Sequence, residues 1–224
     1  MFAVLFEVEP KPGQWDTYLG QAKALRPELE KIDGFIDNVR YRSLTRDGLL
    51  LSLSGWRDEK ALVRWRTHAG HHVAQEKGRG SILRDYHLRI GEIVRDTNLP
   101  SDRSLPVQRL DETQAGEATA VVLIDGKRAA DWVATAGAQQ VAQSLGLQSG
   151  AAGLTSWDVF DAVLTPGDVI LMLSWRDRVA AETFESAIRL QPETRLRRVR
   201  IVRDYGMFDR REAPQYYPEV RKSD

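Results

Sequence analysis

The sequence predicts an α+β fold in which two ferredoxin-like β-α-β-β-α-β repeats close on each other as one fused, pseudo-dimeric α+β barrel. Three observations carry this expectation. A set of residues recurs at one fixed spacing, each half alternates strand-like runs with helical stripes in the same order, and a third strand is apolar on both faces. The recurrence reads Gly34-Phe35-Ile36, Asp47-Gly48-Leu49, Trp56-Arg57-Asp58, Trp65 and Arg84-Asp85-Tyr86 in the first half. A constant 119 residues later stand Gly153-Leu154, Gly167-Asp168-Val169, Trp175-Arg176-Asp177, Phe184 and Arg203-Asp204-Tyr205. Two identical triplets, a turn signal and an aromatic position in one register mark a duplication.

In the first repeat, Ala3 to Val8 forms a short Val-, Leu- and Phe-rich run, ended by Lys11-Pro12-Gly13, and reads as a strand. Trp15, Leu19, Ala22, Leu25 and Leu29 follow at three- and four-residue spacing, the stripe of an amphipathic helix, with Pro27 kinking its last turns. Phe35 to Leu44 alternates, which places Phe35, Val39 and Tyr41 on one face. Arg46-Asp47-Gly48 supplies a hairpin turn, because Asp-Gly tolerates positive φ. Leu49 to Trp56 is the third strand; its unbroken leucines suit a strand covered on both sides. A second helix runs from Asp58 to about Gln75, and Tyr86 to Val94 is the fourth strand. The second repeat reads as strands Ala120–Ile124, Leu154–Phe160, Val169–Trp175 and Arg198–Met207, with helices from about Ala129 to Leu145 and Arg178 to Leu190. One conflict stands: Trp157 and Val159 occupy the opposite parity from Phe35, Val39 and Tyr41. Either a bulge shifts the register or that strand is apolar on both faces. Residues 1–96 and 118–210 are thus the two repeats. Residues 97–117, with Pro100, Pro106 and Gly116 and no apolar period, read as a linker. Residues 211–224 form a tail whose Tyr216-Tyr217, between prolines, is expected to lie across a neighbouring surface of the other repeat.

With 224 residues, 42% hydrophobic and 29% charged, the chain has the composition of an ordinary globular protein. Thirty-two basic and 32 acidic side chains give zero formal charge, which argues against a general nucleic-acid partner. No apolar run approaches the ~20 residues of a spanning helix, so no membrane partner is expected. The start lacks the basic region of a signal peptide. With no cysteine, disulfides, thiolate nucleophiles and Cys-type metal sites are excluded. These traits give a cytoplasmic expectation.

The run GFIDNVRYRSLTRDGLLLSLSGWRDEKALVRWRTHAGHHVAQEKGR, followed by RDYHLRI, resembles the antibiotic biosynthesis monooxygenase domain family. The marks are a strand ending in Trp-Arg-Asp, a helix carrying Trp-x-x-His-x-x-His with a later Gln, and a last strand opened by Asp-Tyr. The resemblance covers most of residues 1–96 and weakens over 118–208. Members are dimeric α+β barrels, normally of two chains, so it implies a covalently fused pseudo-dimer, with further homo-oligomerisation left open. It also implies oxidation of a small aromatic or polyketide-like substrate by O₂ without a cofactor, with haem binding or cleavage as an alternative and a non-enzymatic stress module as a third. Haem-cleaving members carry a first-strand Asn, a helix Trp and a His ten residues after it; here those positions hold Phe6, Trp65 and Gln75. Quinone-forming members use an Asn near the helix start, where this chain has Asp58, Glu59 and Lys60.

Three of the four histidines, His68, His71 and His72, fall within five positions. His68 and His72, spaced i, i+4, share a helix face and could supply a base; the structural alternative is a helix end favouring positive charge, and no metal site is expected. Trp65 walls the pocket in the resemblance, whereas Trp56 and Trp175 read as core. Tyr86 or Arg84 could steady a developing anion, or Arg84-Asp85 could simply brace the strand entry. From Arg189 to Arg211 eight arginines face three acids, an anion site or a half-solvated strand.

Overall fold

The computed structural model describes residues 1–99, 101 and 104–220; Pro100 of the linker and the end of the tail lie outside the described residues. The first repeat comprises β1 (Phe2–Pro10), α1 (Trp15–Glu30), β2 (Phe35–Ser43), β3 (Leu50–Trp56), α2 (Glu59–Arg66), α3 (Ala69–Lys77), a π-helical turn (Gly78–Ile82) and β4 (Leu83–Asp96). The second comprises β5 (Ala120–Lys127), α4 (Ala130–Thr135), α5 (Ala138–Ser144), β6 (Leu154–Ala162), β7 (Asp168–Trp175), α6 (Arg178–Ala187) and β8 (Arg195–Gly206). All eight strands close into one antiparallel barrel in the order β1-β3-β2-β6-β7-β5-β8-β4. Closure removes every sheet edge. Its interior is filled by Leu5, Leu51, Leu53, Val121, Leu123, Phe160, Ile170 and Ile201. The helices of each repeat cover the outer face of its own four strands.

The repeated Trp-Arg-Asp does the same work twice. Trp56 and Trp175 are each 1% exposed. Asp58 caps α2 by accepting from the Ala61 amide at 2.8 Å, and Asp177 caps α6 from Ala180 at 2.8 Å. Gly34 precedes β2 at φ +91°, where an added Cβ would stand 2.6 Å from the Ala61 Cβ; its duplicate Gly153 would stand 2.5 Å from Ala180. Gly34→Ala therefore combines left-handed strain with overpacking and should lose about 2–5 kcal/mol in urea unfolding. Gly20, with nothing within 4 Å of an added Cβ, is the control and should tolerate Ala. A loss at Gly34 below about 1 kcal/mol would contradict the packing.

Three expectations about local structure need correction. Phe35 does not share a face with Val39 and Tyr41: a bulge between Phe35 and Asp37 turns it outward against Trp56, while Tyr41 packs in the barrel. A matching bulge lies between Leu154 and Ser156 in β6. The helix expected from Asp58 to Gln75 breaks at Thr67-His68, and the one from Ala129 to Leu145 breaks at Ala136-Gly137. The Arg-Asp-Tyr triplets, finally, are not equivalent positions. β2 meets β6 with Arg42 opposite Asp161, and β4 meets β8 with Glu92 opposite Arg200. Exchanging the repeats returns each pair to itself and interchanges their neighbours, Gly91↔Ile201 with Ile93↔Val199 and Ile90↔Arg203 with Arg95↔Arg198. The local two-fold axis passes through both pairs. The second and third strands therefore match at a spacing of 119 residues and the last strands at 108. The true counterpart of Arg203-Asp204 is Arg95-Asp96, inside the identical runs Ile93-Val94-Arg95-Asp96 and Ile201-Val202-Arg203-Asp204. The second repeat has α6 alone where the first has α2, α3 and the π-turn.

Both axis pairs are ion pairs: Arg42 Nη2 to Asp161 Oδ2 at 2.7 Å, and Arg200 Nη2 to Glu92 Oε2 at 2.6 Å. Glu92 also accepts the Gln108 amide at 2.6 Å, which pins the connecting segment to the barrel. The basic cluster in β8 is held by ion pairs rather than by solvent: Val199 and Ile201 face the barrel, Arg197 is 6% exposed, and Arg195, Arg197 and Arg198 pair with Asp96, Asp125 and Glu182.

Candidate active site

Between the outer face of β1–β4 and the helices of the first repeat lies a cavity of about 210 Å³, roughly seven waters' share of liquid volume. α1 contributes Tyr18, Leu25 and Leu29 to its roof, and α2 and α3 contribute Trp65 and His71. The floor is strand: Phe6, Asn38, Arg40, Ser52, Ser54 and Tyr86. In the second repeat the equivalent floor is Trp157, Val159, Leu171 and Leu173, packed with Trp175 and Phe184 into a core. The opposed parity seen in β6 is thus the mark of a filled site beside an open one.

The break at His68 decides where the imidazoles point, and it leaves His68 and His72 outside the cavity lining. His68 caps α3 outside the cavity lining, its Nε2 4.0 Å from Glu28. His72 faces Glu76 at 3.3 Å and the Tyr217 hydroxyl at 3.1 Å. His71, between them, lines the cavity and stacks on the Trp65 indole at 4.3 Å. Its Nδ1 donates to the Trp65 carbonyl at 3.0 Å, which leaves a lone pair on Nε2. Burial pushes its pKa down to about 4, against the carbonyl bond, so the ring is neutral at pH 7. Trp65 lines the cavity. Arg84 does not reach it: the side chain is exposed and pairs with Glu9.

Tyr86 does reach it, and its hydroxyl is held in a way the sequence did not suggest. Arg79 Nη1 donates to Tyr86 Oη at 2.8 Å and Arg210 Nη1 donates at 2.6 Å. Arg210 belongs to the segment after β8, which crosses from the second repeat over the first. That segment also puts Gln215 and Tyr217 into the lining, and the Tyr217 hydroxyl donates to Gln75 Oε1 at 2.6 Å. Asn38 Nδ2 donates to Ser52 Oγ at 3.0 Å, while Asn38 Oδ1, Arg40 Nε and Arg66 Nε are buried with no partner among the described residues. Burial pushes the Tyr18 phenol up, against hydrogen bonds from Arg40 and Ser52. Arg40, Arg66, Arg79 and Arg210 all line the cavity, and no described lining residue is Asp or Glu.

A family model described as antibiotic biosynthesis monooxygenase matches residues 1–77. The protein named Jasmonate monooxygenase ABM, from Pyricularia oryzae, is 49% identical over 97% of this chain and 99% of its own length. The chain belongs to the antibiotic biosynthesis monooxygenase family. Solved structures that it resembles include an anthrone oxidase-like protein, 14% identical over 96% of each chain with a TM-score of 0.35. A conserved protein from Methanosarcina mazei Go1 is 22% identical over 40% of this chain and 88% of that one, with a TM-score of 0.35. As in the sequence-based expectation, this family member carries two repeats in one chain. No described helix is long and apolar enough to cross a membrane, and the described residues hold no cluster of three or more metal-ligating side chains.

The cavity is small for a haem. A macrocycle is larger than the drug-sized ligands that take pockets of about 300–1,000 Å³, against about 210 Å³ here. The cavity's imidazole is also stacked flat against Trp65.

Proposed function

We propose that this chain is a monooxygenase that oxidises a small, ring-bearing organic anion with O₂ inside the first repeat's cavity, without a cofactor, in the cytoplasm. The observation that carries the reading is the lining itself: apolar walls with four arginines and no acid among the described residues. A buried cation lacking a counter-ion is costly, and an anionic ligand supplies one to Arg40 and Arg66, whose Nε atoms have no partner among the described residues. The expected aromatic or polyketide-like phenols meet this need once ionised. The relative's name adds jasmonate, a small acid, as the first ligand to try.

The chemistry suits an activated CH₂ group. His71 Nε2 is the cavity's proton acceptor, in place of His68 or His72. Its neutral form is the one able to take a proton. The carbanion reduces O₂; one oxygen atom ends in a new carbonyl and the other leaves as water, so the substrate supplies all the electrons. Tyr86 donates a hydrogen bond to the developing anion, and the Trp65 indole fixes the ring. The test is oxygen uptake by the full chain with jasmonic acid, anthrones and hydroquinones, aerobically and anaerobically, with ¹⁸O₂ incorporation read by mass spectrometry. Turnover should require O₂ and fall at least tenfold in His71→Ala. Inertness toward the whole panel, or label arriving from water, would remove the proposal.

A further inference from the structure

A phenol oxygen has two acceptor sites and one proton. At Tyr86 both acceptor sites are occupied, by Arg79 and by Arg210. The proton must therefore point away from both guanidinium groups, and the open side is the cavity that the ring lines. Neither arginine has a carboxylate within ion-pairing distance among the described residues. Their other bonds go to backbone carbonyls at the end of β8 and along the crossing segment. Arg79, 6% exposed, donates to Met207 O at 3.2 Å and Pro218 O at 3.3 Å. Arg210 donates to Gln215 O at 2.8 Å. Both guanidiniums lie against the Tyr217 ring, at 5.4 and 5.6 Å. Tyr217 in turn stacks on His72 at 5.6 Å.

From this we infer that Arg79 and Arg210 are positioning residues that aim the Tyr86 hydroxyl into the cavity, and that the segment after β8 is a working part of the first repeat's site. The inference rests on the cavity being the place of reaction proposed above. One guanidinium comes from each repeat, so the donor is assembled only when the crossing segment is docked. The second repeat, whose own cavity is filled, supplies the first with the parts that its single-repeat fold lacks. Arg79 and Arg210 act on the ligand through Tyr86, and the losses caused by removing them should not add to the loss of the hydroxyl.

Two readouts on the full chain test this. Protein labelled with ¹³C at tyrosine Cζ, with Tyr86→Phe assigning the signal, should show the Tyr86 resonance displaced in both Arg79→Lys and Arg210→Lys without any ligand. Arg210, on the crossing segment, is the substitution least able to disturb the buried core. Calorimetric binding of jasmonic acid should weaken roughly 10- to 100-fold in Tyr86→Phe. It should weaken comparably in Arg210→Ala, and no further in the double variant. A Tyr86 signal unmoved in Arg210→Lys would overturn the inference, as would losses that multiply in the double variant. A signal displaced in both lysine variants, with a wild-type chain that binds no acid, would uphold the positioning role while defeating the proposed substrate.

Discussion

Replacing Glu7 by Gln should destabilise the protein by about 3–5 kcal/mol, the usual result of stripping a buried ion pair of one partner. Glu7 on β1 is 5% exposed and Arg89 on β4 is 4% exposed; Arg89 Nη2 donates to Glu7 Oε2 at 2.9 Å and Nη1 to Ser174 Oγ on β7 at 2.8 Å. Arg46, in the first hairpin turn, bridges Glu7 at 2.5 Å to Asp158 on β6 at 2.6 Å. The group thus ties the two repeats together through two buried carboxylates, Glu7 and Asp158, and a half-exposed Arg46 that bridges them. Burial alone would raise the Glu7 carboxyl, but Arg89, His87 and Arg46 outweigh it and hold it far below its usual range. Urea unfolding of Glu7→Gln measures the effect. The double variant Glu7→Gln Arg89→Met should regain part of the loss, because no orphaned guanidinium remains. A single-variant loss under about 1 kcal/mol would show that Arg89 finds other solvation.

The same group sets a pH dependence. Burial would lower His87, yet its bonds to Asp204 at 2.6 Å and to Glu7 raise its pKa from 6.5 to about 9. A raised folded-state pKa means the stabilisation is complete below pH 6.5 and disappears as pH rises through about 9. The side chain is 45% exposed, so solvent screening keeps the effect modest. Glu7 works in the opposite sense: its stabilisation is present above about 4.5, its ordinary value, and is lost well below it. Unfolding free energy should fall between pH 7 and 9, and His87→Gln should flatten that fall.

The second large effect concerns the cavity. In β2 and β3 of the first repeat, Asn38 pairs with Ser54 and Arg40 with Ser52. The matching pairs in the second repeat are Trp157 with Leu173 and Val159 with Leu171. Transplanting the second set, as Asn38→Trp, Arg40→Val, Ser52→Leu and Ser54→Leu, should fill the void and weaken ligand binding more than 100-fold. The fold should survive, since the exchange removes a buried Asn38 oxygen and Arg40 nitrogen that lack partners. It also adds apolar burial of about 1.5–3 kcal/mol per large side chain. Thermal unfolding and calorimetric binding of the acid probe read the two effects separately. Unchanged affinity in a folded variant would place the ligand elsewhere.

The duplication and the order of strands and helices were legible in the sequence, the first from motifs repeated at one spacing and the second from local hydrophobic periods. The closed barrel was expected from two like sheets in one chain and from the leucines of the third strand, although Ser52 and Ser54 on its outer face line the cavity. The fate of the histidines was not legible. One break at Thr67-His68 rotates α3, so that His71 enters and His68 and His72 do not, and nothing in the spacing announces it. Arg79 and Arg210 lie 131 positions apart, and only the fold brings them to one hydroxyl. The spacing of the last strands could have been found: the repeated Ile-Val-Arg-Asp is longer than the Arg-Asp-Tyr that misled. The opposed parity of Trp157 and Val159 was visible too, and it carried the difference between the open and the filled site.

Where the local two-fold crosses the barrel, Arg42 meets Asp161 and Glu92 meets Arg200. Two identical subunits could never write such complements, because each residue on the axis would confront its own kind, carboxylate against carboxylate or guanidinium against guanidinium. Joining the halves in one gene lifted that palindromic constraint. It also made the step hard to reverse: neither half can now pair with a duplicate of itself without setting like charges face to face, so the division of labour between scaffold and chamber is locked into the seam.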